Sequence, residues 1–459
     1  MHHALSVAEL ADRLAPLLSP DTRPLAVAVS GGPDSVALFH LMDTWTRRIG
    51  VPLVALTVDH GLRSDSAAEA AAVGHLAAAR GREHRILAWR GTKPVTGLSE
   101  AAREARYRLL GDACRAGGIE TLVLAHHLDD QAETVLYRIE RDTGPDGLAG
   151  MGRVVERDGV RLLRPLLDVP KARLIATCQI AGLVFVDDPT NRDQHYVRPR
   201  LRALMPRLDA AGVTAERLGR LADAMGTARA HLDMAVRDWV AVHAEVMAAG
   251  WIGFEVTALD TIPKPLCGRV IERLLRWVGG GGYPPRGDRL DRLIGWLTRT
   301  TDDGARTLAG CCVGRTGARV VIFREWQAAA PPLLVPPGHT RVWDGRYSIR
   351  NEGTAPVRVE ACGSEGWRRW RRSIGASGLG TREGMLIPHP ARLALPMVVD
   401  LDGGIALPHL TEQAANATAW IGDRVRVRFR SMDVFQDARS GGCSRIPAPF
   451  PPSNRRLAT

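Results

Sequence analysis

No run of 18 or more apolar residues occurs in the 459-residue chain, so a membrane-spanning helix is not expected. Cysteine is scarce. Seven occur, an odd number with no CxxC pair, which argues against a disulfide framework and against a zinc ribbon. The first 18 residues lack a basic segment followed by a long apolar one, and Glu9 and Asp12 interrupt what apolar character there is. They do not read as a signal peptide, and a reducing cytoplasm is the expected setting. Lysine is nearly missing: of 61 basic side chains only Lys93, Lys171 and Lys264 are lysines.

What is present is ordinary in bulk, with 45% hydrophobic and 24% charged residues. That suits a globular protein with a sizeable core, and the length suggests about three domains at roughly 150 residues each. The net charge of +11 fits a partner rich in phosphate. Arginine suits nucleic acid better than lysine does, because its planar fork pairs phosphates bidentately and stacks on bases.

Between residues 25 and 140 short apolar runs alternate with helical patterns. Strands are expected at Leu25–Val29, Leu53–Val58, His84–Ala88 and Thr121–Ala125. Helices are expected at Asp34–Met42, Ser64–Arg80, Ser99–Ala116 and Asp129–Ile139. Such units build a parallel sheet covered on both faces, with ligands beyond the carboxyl ends of the strands. Polar clusters follow three of those ends: Ser30-Gly31-Gly32, Asp59-His60-Gly61 and His126-His127. The expected division is an α/β catalytic domain over 1–204, a helical domain over 205–304 and a β-rich region over 305–459. Within the second, Leu266–Val278 and Arg289–Thr298 read as amphipathic helices. Within the third, strands are expected at Val320–Phe323, Arg341–Arg350, Met397–Leu401 and Val425–Arg430. Residues 329–338 read as a linker, and the tail from Asp437 as disordered.

The segment Leu25–Ser35, LAVAVSGGPDS, carries a strand directly into two glycines and then into a helix. Adjacent glycines let the backbone approach an anion, and the N–H groups of the helix start point at it. Ser30 and Ser35 add hydroxyls. The loop is neither a Walker A motif nor a GxGxxG turn. A second cluster, His126 to Glu133, holds two carboxylates one helical turn apart. At 100° per residue His126, Asp130, Glu133 and Tyr137 share a stripe. Asp130 and Glu133 can hold a cationic amine there; a metal site of His126, Asp130 and Glu133 is the rival reading.

The SGGPDS loop resembles that of the N-type ATP pyrophosphatases, the PP-loop family, which split ATP between its α and β phosphates. The full set of motifs resembles the tRNA(Ile)-lysidine synthetase family. It comprises SGGPDS (30–35), VDHGLR (58–63), AAREARY (101–107), AHHLDDQAET (125–134), RDTGPDGLAGM (141–151), RPLL (164–167) and DDPTNRDQHYVRPRLR (187–202). The stretch at 259–277 is similar to the family's small helical domain, and 341–347 and 395–410 are similar to its C-terminal region. Two departures stand out. Asp142 replaces a glycine common in the family, and Pro199 replaces an asparagine.

The resemblance implies a parallel-sheet PP-loop fold and an ATP-dependent C–N ligase. Its reaction would join free L-lysine to C2 of the wobble cytidine of a CAU-anticodon tRNA(Ile), through an adenylated cytidine. ATP contacts would fall on Ser30, Gly31, Gly32, Pro33, Asp34, Ser35, Asp59 and His126, with Asp34 placing Mg²⁺. Asp130 and Glu133 would bind the lysine amine and, with Asp34, form the catalytic set. Arg103, Arg106, Arg141, Arg164, Arg198 and Arg202 are candidate tRNA phosphate contacts. No membrane partner is implied, and the oligomeric state, a homodimer included, is left open. Two alternatives stand beside this reading: a tRNA-thiolating relative, disfavoured by the isolated Cys114 and Cys178, and a non-catalytic RNA-binding protein.

Overall fold

The computed structural model describes residues 3–18, 24–62, 65–94, 96–157, 159–186, 197–247, 249–281, 285–299, 302–374, 388–408 and 424–430. The expected tail from Asp437 lies outside them. Two compact units, Met1–Ala230 and His231–Thr459, divide the chain.

In the first unit α1 (Val7–Leu14) begins at a capping box. The Ser6 hydroxyl accepts from the Glu9 amide, and the Glu9 carboxylate accepts from the Ser6 amide. Then follow β1 (Leu25–Ala28), α2 (Pro33–Arg48), β2 (Leu53–Asp59), α3 (Ser66–Ala78), β3 (Glu83–Ala88) and α4 (Leu98–Ala116). The unit continues with β4 (Thr121–Val123), α5 (Leu128–Glu140), α6 (Pro145–Leu148), the hairpin β5 (Val154–Arg157) and β6 (Val160–Leu163), and α7 (Lys171–Ile180). All four expected strand–helix pairs form; the β5–β6 hairpin was not anticipated. The sheet order is β3-β2-β1-β4-β6-β5, parallel throughout except for the hairpin.

Strand β1 is buried on both faces, which explains its unbroken apolar run. Leu25 and Val27 enter a core with Val36, Phe39 and Met42 of α2, while Ala26 and Ala28 face Tyr107, Leu110 and Cys114 of α4. The chain first moves outward from β1 through β2 to β3, then returns to place β4 on the other side of β1. The strand order reverses between β1 and β4, and in open α/β sheets the carboxyl ends at such a reversal are where ligands bind. α8 (Val197–Ala210) and the first half of α9 (Ala215–His243) pack on α5, with Leu218 and Ala222 against Ala132 and Val135.

α5 ends in a Schellman turn. The Thr143 amide donates to the Arg138 carbonyl at 3.1 Å and the Asp142 amide to that of Ile139 at 3.0 Å. Asp142 holds the left-handed position at φ +48°, which accounts for the glycine preferred there in the resembling family. Asp142→Gly is therefore expected to change stability by no more than about 1 kcal/mol, and Asp142→Val to lose more than that. Urea unfolding midpoints of the two variants would check it.

In the second unit β7 (Ala244–Val246), β8 (Ile252–Glu255), α10 (Lys264–Gly279) and α11 (Gly287–Arg299) precede β9 (Gly304–Leu308), β10 (Cys311–Thr316) and β11 (Arg319–Arg324). These strands form one antiparallel sheet, β7-β8-β11-β10-β9. Both expected helices are present, and Val270, Ile271 and Leu274 of α10 pack on Val313, Val320 and Ile322 of the sheet. The sheet draws strands from both sides of residue 304, so the expected division there runs through a single core. α8 likewise spans 204 unbroken.

The remaining elements are β12 (Leu333–Val335), β13 (Thr340–Trp343), β14 (Tyr347–Asn351), β15 (Val357–Ala361), α12 (Gly363–Ile374), α13 (His389–Leu393), β16 (Pro396–Val399), β17 (Ile405–Ala406) and β18 (Val425–Phe429). They form two small sheets, β12-β15-β16-β17 and β13-β14-β18. The expected linker 329–338 contains β12, which pairs with β15. The expected strand Arg341–Arg350 is instead the hairpin β13–β14, because Asp344 and Gly345 both take positive φ and turn the chain. The buried Asp344 carboxylate holds that turn, accepting from Arg346 at 2.7 Å, Arg324 at 2.8 Å and the Ala330 amide at 2.9 Å.

Candidate active site

The loop after β1 forms through its own hydroxyls. Ser35 Oγ accepts from the Ser30 amide at 3.0 Å and donates to the Gly32 carbonyl at 3.0 Å. Gly31 sits at φ +90°, where a side chain would strain the backbone, and its carbonyl accepts from the Val186 amide at 2.9 Å. Gly32 caps α2 and Pro33 opens it with φ already fixed. Asp34 thus lies in the first turn of α2, beside the free N–H groups that make a helix start receptive to anions.

On the far side of the reversal the chain leaves β4 as Ala125-His126-His127 and enters α5. His127, only 2% exposed, is the cap. Its Nε2 lies 3.4 Å from Asp34 Oδ2 and 3.5 Å from Asp130 Oδ2, and its Nδ1 lies 3.5 Å from Asp129 Oδ2. Burial pulls the imidazolium down, but hydrogen bonds to Asp129 and Asp34 and the charges of Asp130 and Asp34 outweigh it, raising its pKa to about 10. A cationic His127 has a proton on each nitrogen, so the Asp130 amide at 3.4 Å from Nδ1 is a contact rather than a donor to it. The Asp130 carboxylate does accept from the His127 amide, at 3.2 Å.

His127 therefore joins the loop acid to the first turn of α5. Sequence reasoning picked its neighbour instead. His126 precedes the helix and so leaves the expected stripe; its Nδ1 accepts from Arg164 Nε at 3.2 Å. The signal for His127 was its position three residues before Asp130, the spacing at which an acid in the first turn accepts from the amide of the N-cap residue. Lys171 is a second cation here, with Nζ 3.7 Å from Asp34 Oδ2 and its amide donating to Asp129 at 2.9 Å.

Removing the shared cation should leave three carboxylates facing one another. His127→Gln is expected to lose about 1–3 kcal/mol of stability, and added Mg²⁺ with ATP should restore part of it. Thermal unfolding with and without the two ligands measures this; an unchanged melting temperature in both conditions would contradict the imidazolium.

Asp34 Oδ1 is buried and has no hydrogen-bond partner among the described residues. An anionic oxygen of this kind, next to a helix start that accepts phosphate, suits a hard divalent cation bound together with a nucleotide. Asp59, at the end of β2, turns its own chain by accepting from the Gly61 amide at 2.8 Å. Lys93 donates to the Gly61 carbonyl at 3.1 Å.

Glu133 differs from its expected open position. Its carboxylate is 2% exposed, and Arg202 of α8 donates to Oε1 from Nε and Nη2, both at 2.8 Å. Arg202 thus has a carboxylate partner, and the pair neutralises itself. With His126 on Arg164 and Glu133 on Arg202, the rival metal triad is not assembled; no cluster of three or more His, Cys, Asp or Glu side chains placed to hold a metal by themselves occurs among the described residues. The six described cysteines are free of disulfides, as expected.

The other expected arginines divide by environment. Arg164 is buried, donating to the Gly152 carbonyl at 2.9 Å and lying 3.5 Å from Tyr107 Oη. Arg103 is exposed with its guanidinium 5.1 Å from the Tyr107 ring, and Arg157 stands 4.9 Å from the same ring. Arg106 is half-buried; burial and the charges of Arg103 and Arg164 pull its guanidinium down, against Tyr107 and Asp130. Arg141 is exposed, 4.6 Å from the Tyr137 ring. The Arg198 side chain lies outside the described residues.

Residues 6–208 match the PP-loop domain family. Over 325 residues the chain is 43% identical to the tRNA(Ile)-lysidine synthase of Bradyrhizobium diazoefficiens, covering 65% of this chain and 89% of that one. The tRNA(Ile)-lysidine synthase of Methylobacterium nodulans is 44% identical over 326 residues, 69% of this chain and 95% of the relative. That of Ruegeria pomeroyi is 37% identical over 364 residues, 77% and 84% respectively.

Proposed function

The chain belongs to the tRNA(Ile)-lysidine synthase family, and from that premise we propose that it ligates free lysine to the wobble cytidine of a CAU-anticodon tRNA(Ile) at the expense of ATP. The observation that carries the reading is the meeting of the Ser30–Ser35 loop with Asp130 at the strand-order reversal between β1 and β4. ATP's phosphates would lie on the loop amides and the start of α2, with Ser30 at the exposed rim. Asp34 would hold Mg²⁺, whose charge helps neutralise the departing pyrophosphate. An anticodon-loop base is unpaired and can enter such a site without opening a duplex.

Two bonds are exchanged. The C2 oxygen of the cytidine attacks the α-phosphorus and pyrophosphate leaves. The lysine ε-nitrogen then attacks C2, and AMP departs with that oxygen. The amine, with a pKa of about 10.4, arrives as ammonium and must lose a proton. His127 is held as a cation by its carboxylate neighbours, which raise its pKa, and so is poorly suited to accept it. Asp130 is the carboxylate open to the amine, 17% exposed and half-buried at the helix start. Glu133 would act through Arg202 unless that pair separates. Arg103 and Arg141 are the exposed arginines near this end and would meet tRNA phosphate. The cytoplasm, where tRNA, ATP and lysine coexist, is the setting this chemistry requires; among the described residues no helix is long and apolar enough to cross a membrane.

Product analysis tests the ATP half of the reading. Incubation with tRNA(Ile), lysine and Mg²⁺ should give AMP and pyrophosphate in equal amounts, and ADP with phosphate as main products would overturn it.

A further inference from the structure

Helix α7 closes in a Schellman turn at Gly182. The Leu183 amide donates to the Cys178 carbonyl at 2.9 Å and the Gly182 amide to that of Gln179 at 3.2 Å. The chain then runs back through residues 183–186 with its side chains alternating between the two sides. Leu183 and Phe185 are half-buried against the core that holds Val36 and Phe39 of α2, while Val184 between them is 89% exposed. Two anchors on one side fix where the next amide falls. That amide, of Val186, donates to the Gly31 carbonyl at 2.9 Å, and a Val186 methyl stands 3.8 Å from where a Cβ on Gly31 would lie.

The carbonyls of Gly31, Gly32 and Pro33 are all engaged by donors of the protein. Val186 takes that of Gly31. The Ser35 hydroxyl and the Val36 amide take that of Gly32, each at 3.0 Å, and the Cys178 thiol takes that of Pro33 at 3.3 Å. A trans peptide points its C=O and its N–H in opposite directions. The Gly32 and Asp34 N–H groups therefore turn away from α7 and the segment after it, toward the open end of α2 that receives an anion. The peptide joining Gly31 to Gly32 is the one in greatest need of an outside hold. It lies between two glycines, the residues with the widest choice of backbone conformation, and Gly31 is at φ +90°. Ser35 and Val36 hold the next peptide from within the loop and its helix; the bond that sets this one comes from Val186, 155 residues further along the chain.

We propose that Val186 is a positioning residue for the nucleotide loop: its main-chain amide, by holding the Gly31 carbonyl, aims the Gly32 N–H at a phosphate of ATP. The inference rests on the function proposed above, which places ATP's phosphates on the loop amides. A donor aimed in advance costs no reorganisation when the phosphate arrives, whereas a freely rotating glycine peptide must first be ordered. The role belongs to the N–H of residue 186 and not to its side chain, and that separation makes it testable.

The experiment uses the full chain and two readouts: the ATP dependence of AMP formation with tRNA(Ile) and lysine saturating, and calorimetric binding of α,β-methylene-ATP with Mg²⁺. Val186→Pro deletes the N–H. Replacing Val186 by α-hydroxyisovaleric acid exchanges the N–H for an ester oxygen and keeps the side chain, which guards against misfolding of the proline variant. Both should raise the KM for ATP and weaken analogue binding roughly tenfold or more, as expected when a hydrogen bond to a charged group is lost. The KM for lysine should not move. Val186→Ala, which restores the N–H, should return the KM for ATP to the wild-type value. A bond that serves stability alone would act differently, lowering the folded fraction and with it kcat while the KM for ATP stays the same. That result, or an ester variant that binds the analogue as tightly as wild type, would overturn the proposal. Failure of the underlying function looks different: the wild-type protein would then bind no analogue at all, and the proposal would fall with it.

Discussion

Asp34→Asn should reduce AMP formation at least about 100- to 1000-fold, the loss typical when one preorganised charge-stabilising group is removed from an active site. The substitution keeps the size and hydrogen-bonding capacity of the side chain but removes its charge. Asp34 Oδ1 is the buried oxygen without a partner, and Oδ2 faces His127 and Lys171. Two cations flank this carboxylate and Asp129 and Asp130 already balance them, so its amide counterpart would leave no net negative charge to hold Mg²⁺. The Mg²⁺ concentration needed for half-maximal rate should therefore rise together with the loss in turnover. A variant with wild-type rate and Mg²⁺ dependence would reduce Asp34 to a helix-start residue.

Asp130→Asn should act on the second half of the reaction. Loss of one charge-assisted contact costs roughly 1.5–3 kcal/mol, or about 10- to 150-fold in lysine affinity. Lysidine formation should need correspondingly more lysine, while pyrophosphate release in the presence of tRNA persists. The same mixture reports both quantities. Glu133→Gln supplies the contrast, since Glu133 is held by Arg202. Its effect on stability should be modest, because the Arg202 guanidinium left behind is 42% exposed and stays solvated. If lysine dependence is unchanged in Asp130→Asn, the amine binds elsewhere and Asp130 only caps α5.

The α/β unit was legible because its signals are local. The apolar run Leu25–Val29 signalled a buried strand, and the two glycines after it a close backbone approach, which Gly31 makes at a positive φ. The order of polar clusters along the chain then located the site without any knowledge of contacts. Periodicity failed where partners come from distant residues. The stripe through Asp130 and Glu133 is real on α5, yet Arg202 arrives from α8, 69 residues further on, to occupy Glu133. His126 and His127 are adjacent and chemically identical in sequence; the end of β4 and the cap of α5 decide which one enters the site.

In the second unit β7 and β8 fall inside the stretch 205–304 that was expected to be helical. They are short, three and four residues; β7 pairs with β8, and the other partner of β8, β11, lies more than 60 residues away. The Asp344 turn was hidden for a similar reason. The stretch from Arg341 to Arg350 has strand character on both sides, and the Arg324 and Arg346 clasp that stabilises the reversal is tertiary.

Mass spectrometry of nucleosides tests the central claim most directly. CAU-anticodon tRNA(Ile) would be incubated with the protein, ATP, Mg²⁺ and isotopically labelled lysine, then digested to nucleosides. The account predicts a cytidine derivative carrying the whole labelled lysine in place of the C2 oxygen, absent when ATP is omitted. A wobble cytidine that stays unmodified while the protein binds both ATP and tRNA, or one that gains sulfur instead, would contradict it.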